Sequence, residues 1–346
     1  MILSVIMKPI NKLNRNIAKY DIYELYSSLA EENNFSNDSE FIDLIKKSLE
    51  QNIKSKIFKY GKQTEKMFAY VLSNLSECEL IKKEDAGEIY SNNEVVIPDF
   101  RIILKNREQL LIEVKNHHSK IKLKDFYLRK TELQELKKYS NLMHTNLKIA
   151  IFWSNMRMWT LVDTKFFIED NKYASINIET AILNNEMSIL GDYWLATNPP
   201  LELKLQVKEN ELSPKCLNGV IDKVELYSNG NLITDKYEQN LAFNFILFGN
   251  WQAKQYIEFN EQTGERVIVT ESNPIKGNEE EEQPFYMIGT LSSLISNKYK
   301  YIVNYYQSSN SNFPKITPEK LSLDIDENNY IGKILHIWRF KVNKNM

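Results

Sequence analysis

The chain has 346 residues, of which 42% are hydrophobic, 12% aromatic and 26% charged, and its formal net charge is -2. This composition excludes a wholly disordered chain and a uniformly basic, histone-like protein, and the length allows two domains. The two cysteines, Cys78 and Cys216, exclude a disulfide framework and a four-cysteine zinc site, and are typical of a reducing, intracellular compartment. No segment has the roughly 18 to 20 apolar residues of a membrane span, so we expect a cytoplasmic protein without a membrane partner.

Charge is unevenly distributed along the chain. Residues 1–150 carry 25 basic and 21 acidic side chains, and within them residues 101–150 carry 12 basic and 5 acidic ones. The rest of the chain has an excess of acidic side chains. Such an asymmetry indicates either a surface that faces a polyanion or solvated helix faces, and charge alone does not separate the two.

The first half of the chain predicts helices, then strands, then a helix and further strands. Residues 21–55 have helical spacing, with capping residues at 37–40. Further helices are predicted over 62–75 and 125–145. The predicted strands cover residues 79–83, 95–104, 109–115, 147–153 and 158–162. The order helix, three strands, helix, strand favours an α/β or α+β layered domain.

The second half of the chain predicts mainly strands. Asn198-Pro199-Pro200 breaks any helix, so we place a domain boundary between residues 1–197 and 198–346. Turn pairs such as Asn229-Gly230 separate short β-favouring runs, as in hairpins. These runs cover residues 201–207, 220–226, 241–247, 256–259, 266–269, 286–288, 299–306 and 334–342. We therefore expect an N-terminal unit with its core at about residues 62–163, and a β-rich C-terminal domain that recognises a target, a signal or a partner.

A predicted hairpin carries the residues of greatest chemical interest. Two apolar runs flank a short polar connector at residues 105–108. If the turn is centred on Asn106, Asp99 lies directly across from Glu113, with the two side chains about 5 Å apart on one face. Lys115 lies two residues beyond Glu113 and shares that face. A shift of the register by one residue would break this arrangement.

Asp, Glu and Lys in this arrangement are suited to phosphodiester hydrolysis. Two facing carboxylates destabilise a strand pair unless a cation lies between them. Mg²⁺ prefers oxygen ligands and keeps waters that can attack a phosphodiester. An adjacent lysine can orient or deprotonate such a water and can stabilise charge on the phosphate. The alternative for Glu113 and Lys115 is an exposed ion pair on an ordinary hairpin.

Pro98-Asp99 followed by Glu113-Val114-Lys115 resembles the signature of the PD-(D/E)XK phosphodiesterases, the restriction-endonuclease-like nucleases. The predicted order of elements over residues 62–153 is also similar to the core of that family. The motif is short, and the resemblance covers about a third of the chain. It implies a Mg²⁺- or Mn²⁺-dependent nuclease with Asp99 and Glu113 as metal ligands, Lys115 as the catalytic lysine and the Val114 carbonyl as an additional ligand.

The resemblance suggests further site residues. Many members carry an acidic metal ligand on the helix before the hairpin, and Glu65 fits that place, its alternative being a solvent-facing glutamate. Some members have Gln-x-x-x-Tyr on the following helix; Gln134 is a candidate for the Gln, but Tyr139 is one residue too far away for the exonuclease-like branch. Candidate contacts to substrate phosphates, which are otherwise a solvated loop and helix start, follow the motif: His117, Lys120, Lys122 and Lys124.

The resemblance implies a nucleic-acid partner, and we favour DNA over RNA. The expected function is a DNA endonuclease in restriction or in defence against phage and mobile elements. We expect a homodimer, or a partner subunit bound through the C-terminal domain. Two alternatives stay open: a non-catalytic module that binds nucleic acid or protein on a nuclease-like scaffold, and an RNase activated by a small ligand.

Overall fold

The computed structural model describes residues 9–13, 22–33, 35, 37–84, 89–119, 121, 123–207, 220–259, 266–275, 283–308, 316–326, 330 and 332–342. Three residues named above, Cys216, Lys120 and Lys122, lie outside these ranges. Cys78 is buried and forms no disulfide. None of the helices in the described ranges is long and apolar enough to cross a membrane.

Eight α-helices lie within the described residues. Asn37 caps the second of them, because its side chain accepts hydrogen bonds from the backbone N–H groups of Ser39 and Glu40, as the sequence predicted. The helices are α1 (Ile22–Asn33), α2 (Asp38–Lys54), α3 (Lys56–Asn74), α4 (Lys130–Leu142), α5 (Ile178–Leu183), α6 (Lys236–Phe248), α7 (Leu291–Ser308) and α8 (Pro318–Leu321).

The strands form two five-stranded sheets and two three-stranded sheets within the described part of the chain. In the first half the strands are β1 (Cys78–Lys83), β2 (Phe100–Leu104), β3 (Gln109–His117), β4 (Phe126–Arg129), β5 (Asn146–Trp153), β6 (Met158–Asp163), β7 (Ile168–Glu169), β8 (Tyr173–Ile176) and β9 (Trp194–Thr197). In the second half they are β10 (Leu201–Val207), β11 (Ile221–Ser228), β12 (Asn231–Leu232), β13 (Gln252–Phe259), β14 (Arg266–Asn273), β15 (Tyr286–Thr290) and β16 (Ile337–Phe340).

The first five-stranded sheet has the order β1-β2-β3-β5-β6. β3 pairs in parallel with β5, and the other neighbours are antiparallel. The predicted order from α3 to β5 is found in the structure, with two corrections. β2 begins at Phe100 rather than at residue 95, and residues 126–129 form β4, which pairs with β8, where the sequence predicted helix. α4 therefore begins only at Lys130.

Helices cover both faces of this sheet. On one face α3 contributes Phe68, Val71 and Leu72 to a core that includes Ile112 of β3. On the other face the buried side chains of α4 pack in a separate core with β3 and β5, formed by Leu133, Leu136, Leu111, Ile149 and Ile151. Because side chains alternate along a strand, the odd-numbered residues of β3 project towards α4.

The second half of the chain is mixed α/β rather than β-rich. Residues 241–247, predicted as a strand, lie in α6, where Leu241, Ala242 and Phe245 are buried at helical spacing and the Asp235 side chain caps the first turn. Residues 299–306, also predicted as a strand, lie in α7. Each of the other predicted strand segments contains a strand, and the hairpin turn predicted at Asn229-Gly230 joins β11 to β12.

The predicted boundary near residue 197 does not coincide with a gap in the core. The core beneath α3 continues without interruption through Leu201, Phe245, Leu294 and Leu335. β9, which precedes the predicted boundary, pairs with β15 and β16, which follow it. The division into residues 1–197 and 198–346 therefore remains a prediction.

Candidate active site

The β2–β3 hairpin has the register that the sequence predicted. Phe100 pairs with Ile112, and the pairing continues residue by residue to Ile103 with Gln109. Asn106 forms the turn, since its side chain accepts a hydrogen bond from the backbone N–H of Glu108 at 2.9 Å. Asp99 is the next residue beyond the paired segment, and its charge acts on Glu113. The turn at Asn106 therefore sets the register that brings Asp99 near Glu113.

Asp99 lies immediately before β2 and is fixed against β3. Its Oδ2 accepts a hydrogen bond from the backbone N–H of Val114 at 2.9 Å, and its backbone oxygen accepts one from Glu84 at the same distance. Burial raises the pKa of Asp99, and the negative charge of Glu65 raises it further. The carboxylate is thus held in place beside another acidic side chain.

Glu113 and Lys115 project from β3 towards α4. The Lys115 Nζ lies 2.5 Å from Glu113 Oε1 and 2.8 Å from Glu132 Oε1, so the ammonium bridges two carboxylates. Burial raises the pKa of Glu113 to about 7; Lys115 opposes this rise, whereas Asp99 and Glu132 add to it. For Lys115, the two glutamates outweigh burial and raise its pKa, so its ammonium stays protonated at neutral pH.

Glu132 is a member of this cluster that the sequence analysis missed. It lies in the first turn of α4, and its Oε2 is 3.4 Å from the Nε of Arg129. The chain carries another glutamate, Glu135, one turn further along the same helix, so composition does not single out the one that reaches β3. A correctly placed helix start at Lys130 is the signal that would have favoured Glu132.

Glu65 is not the solvent-facing glutamate of the alternative reading. It is 8% exposed, and its carboxylate accepts hydrogen bonds from Lys62 at 2.8 and 2.9 Å and from Lys83 at 2.7 Å. Burial raises its pKa, but the hydrogen bonds from the two lysines outweigh burial and lower it. Its charge acts on Asp99, so α3 does bring Glu65 close to the hairpin, with its carboxylate already paired.

The predicted substrate contacts are brought to the cluster only in part. His117 shares the face of Lys115, but its Nε2 lies 2.9 Å from the backbone oxygen of Lys124 and its ring packs edge to face against Trp153. Lys124 is exposed. Gln134 is also exposed and lies two residues from Glu132, about 200° around the helix, so it points away from the carboxylates.

The donor set fits a hard divalent cation. Asp99, Glu113 and the Val114 carbonyl offer oxygen atoms, and Mg²⁺ binds through one or two carboxylates while keeping several waters. Within the described ranges, no group of three or more His, Cys, Asp or Glu side chains is arranged to hold a metal ion. Burial, and to a smaller degree the neighbouring carboxylates, raise the pKa values of Asp99 and Glu113, and a bound cation would oppose both effects.

Comparison with known proteins gives weak structural similarity and no match in sequence. No protein-family model matches the chain, and no curated protein matches it. Among solved structures, the chain is similar to Hjc, a Holliday junction resolvase from the archaeal hyperthermophile Archaeoglobus fulgidus. That similarity covers 29% of this chain and 83% of Hjc, with 20% sequence identity and a TM-score of 0.24. A TM-score this low carries no argument about function, so the conclusions below depend on the geometry of the cluster.

Proposed function

We propose that this chain is a divalent-metal-dependent nuclease that hydrolyses phosphodiester bonds. One observation carries the proposal: a hydrogen bond from Val114 holds Asp99 on β3 next to Glu113, and Lys115 bridges Glu113 and Glu132. A buried pair of acids with raised pKa values beside a fixed lysine is an arrangement expected at a reactive site rather than in a purely structural ion pair.

The acidic residues and the lysine of this cluster have different roles in the proposed reaction. Asp99, Glu113 and the Val114 carbonyl would hold Mg²⁺ or Mn²⁺. Glu65 would be a further ligand once its ion pairs with Lys62 and Lys83 are broken. When bound, the ion supplies Lewis acidity and an activated water. Lys115 keeps its proton, because Glu113 and Glu132 raise its pKa. It therefore stabilises negative charge that develops on the phosphate, rather than removing a proton from water.

The biological setting follows from the resemblance and is part of the proposal. We propose DNA as the preferred substrate over RNA, endonucleolytic cleavage, and a role in restriction or in defence against phage and mobile elements. Cationic side chains near the cluster could bind backbone phosphates; among the described residues these include Lys62, Lys83 and Arg129.

The direct test is cleavage by the purified full-length chain with Mg²⁺, Mn²⁺ or EDTA, against double-stranded DNA, single-stranded DNA and RNA. We expect metal-dependent cleavage by the wild type and a loss of about 100-fold or more in Asp99→Asn and Glu113→Gln. Asp170→Asn is a matched control, because Asp170 is an exposed turn residue whose side-chain oxygen accepts backbone hydrogen bonds that an amide can also accept.

Each other outcome points to a different function. Equal cleavage by the wild type and both site variants would show that the activity does not come from this cluster. Tight, metal-independent binding of nucleic acid without turnover would favour the non-catalytic module. Cleavage confined to RNA would correct the substrate.

A further inference from the structure

The second five-stranded sheet ends in a long edge strand, β13. Its order is β12-β11-β10-β14-β13, and β13 pairs with β14 along its entire length, from Gln252 with Asn273 to Phe259 with Arg266. All eight residues of β13 are exposed. In the part of the chain that the structure describes, no strand pairs with the outer side of β13. Soluble proteins usually shorten, twist or cover such an edge, because its free backbone groups pair readily with another strand.

The two faces of β13 differ in chemistry. Lys254, Tyr256 and Glu258 project to one face, where Tyr256 donates a hydrogen bond to Glu271 at 2.8 Å. The opposite face carries Ile257 and Phe259, which are 60% and 56% exposed. Exposed apolar side chains on a free edge favour an interaction surface over a strand that simply faces water.

The charges on β13 are complementary to those of an identical strand. Two copies can pair in antiparallel fashion about a twofold axis perpendicular to the sheet. With this symmetry, two residues that lie opposite each other must project to the same face of the sheet, so one residue lies opposite its own copy at the axis. Centred on Tyr256, the register sets Lys254 opposite Glu258 of the second copy, twice over. In the neighbouring allowed registers, which are centred on Gln255 or Ile257, Lys254 does not lie opposite Glu258.

Glu258 is available for such a pair. Its only ion pair among the described residues is with Lys204, at 3.5 Å, and its side chain is 47% exposed. An exposed pair of this length contributes little to the stability of the fold, so the carboxylate can be shared with a second lysine. On the apolar face, the same register sets Phe259 opposite Ala253 of the second copy.

We propose that β13 is a homodimer interface at which a second copy of this chain adds its own β13, antiparallel and centred on Tyr256. The two five-stranded sheets then join into one continuous sheet across the twofold axis. This inference goes beyond the nuclease proposal and does not depend on it, since it concerns a different sheet and a different set of residues.

The test is sedimentation of the full-length chain in four forms: wild type, Lys254→Glu, Glu258→Lys, and the double variant with both changes. The wild type should be a dimer of the 40.8 kDa chain. Each single variant places like charges opposite each other at two symmetry-related positions of the interface, so its dimer dissociation constant should rise by about tenfold. The double variant should dimerise like the wild type, and an equimolar mixture of the two single variants should form heterodimers, because both restore opposite charges.

Controls separate this interface from other causes. Lys172→Glu makes the same change in an exposed turn between β7 and β8 and should leave dimerisation unchanged. Circular dichroism checks that every variant is folded. Association of the two single variants on mixing would also show that neither had lost association through misfolding. A monomeric wild type, dimerisation unaffected by either single change, or single variants that fail to associate when mixed would each overturn the proposal.

Discussion

Two lysines of the first five-stranded sheet are each held by a pair of carboxylates, yet the pKa values of the carboxylates in the two clusters differ in direction. Lys115 on β3 bridges Glu113 and Glu132 at 2.5 and 2.8 Å. Lys148 on β5 bridges Asp163 and Glu186, both at 2.8 Å. By distance alone the two could not be distinguished. Their acids nevertheless titrate in opposite directions: the pKa of Glu113 is raised to about 7, whereas the pKa of Asp163 is lowered.

The difference comes from the surroundings of each cluster. Burial raises the pKa of Asp163, but hydrogen bonds from Lys148 and from the backbone N–H of Lys165 outweigh it. Burial also raises the pKa of Glu113, and there Lys115 does not outweigh it, because the carboxylates of Asp99 and Glu132 raise the pKa as well. Each lysine faces two carboxylates, but the Lys115 cluster contains Asp99 as a third acidic side chain, and its Glu113 side chain is only 9% exposed where that of Asp163 is 27% exposed. A buried carboxylate whose pKa stays raised despite a paired lysine, more than ion-pair geometry, distinguishes the cluster to which we assign the metal in our proposal.

The largest expected effect comes from removing each lysine in turn. Lys115→Met should lower nuclease turnover by about 100- to 1000-fold, because the positive charge beside the phosphate is lost. Lys148→Met should leave turnover within about threefold but lower the free energy of unfolding by about 2 to 4 kcal/mol, because two carboxylates then lose their buried partner. Cleavage assays and urea denaturation of both variants measure the two effects. Equal losses of activity in both variants would contradict the assignment of separate roles.

The next effect is the pH dependence of stability in EDTA. Because the pKa of Glu113 is raised from 4.5 to about 7, the folded state binds the extra proton, and stability falls as the pH rises through that window, by on the order of 2 kcal/mol. Asp163 has the opposite sign: its lowered pKa contributes stability above 3.8 that is lost as the pH falls below that value.

Urea denaturation over a range of pH measures both slopes. Glu113→Gln should flatten the slope between pH 4.5 and 7, and Asp163→Asn should remove part of the acid-side loss while keeping the neutral slope. Saturating Mg²⁺ should also reduce the neutral slope of the wild type, because a bound cation favours deprotonated Glu113. A wild type without any slope between pH 4.5 and 7 would contradict the raised pKa of Glu113.

The parts of this site that the sequence predicts are those fixed by local interactions. A turn at Asn106 and the alternation of side chains were enough to place Asp99 across from Glu113 and Lys115 on the same face, and the structure has that register. The cap at Asn37 is similarly local. Short-range rules succeed here because the interacting groups are close in sequence as well as in space.

The parts that it misses depend on tertiary packing. Glu65 is paired by Lys83, which lies on a different element, so its charge state depends on how α3 packs against β1. Aromatic and β-branched residues in 241–247 and 299–306 favour strands locally, but both segments are helices because they pack their apolar sides into the continuous core. β4 occupies residues 126–129, so α4 begins at Lys130, and its packing against β3 and β5 turns Glu132 rather than Gln134 to Lys115.

The smallest expected effects compare these two residues of α4. Glu132 acts through Lys115 and Glu113, so it is a positioning residue. Glu132→Gln should reduce turnover by roughly three- to tenfold, since its amide oxygen can still accept the Lys115 hydrogen bond without contributing charge. The change should also shift the acid limb of the pH–rate profile to lower pH, because Glu132 raises the pKa of Glu113. Gln134→Ala should change neither quantity, as its side chain is exposed on the other side of the helix. A structural role for Glu132 alone would lower stability without moving the acid limb, and a loss of activity in Gln134→Ala would place the substrate on the outer side of α4.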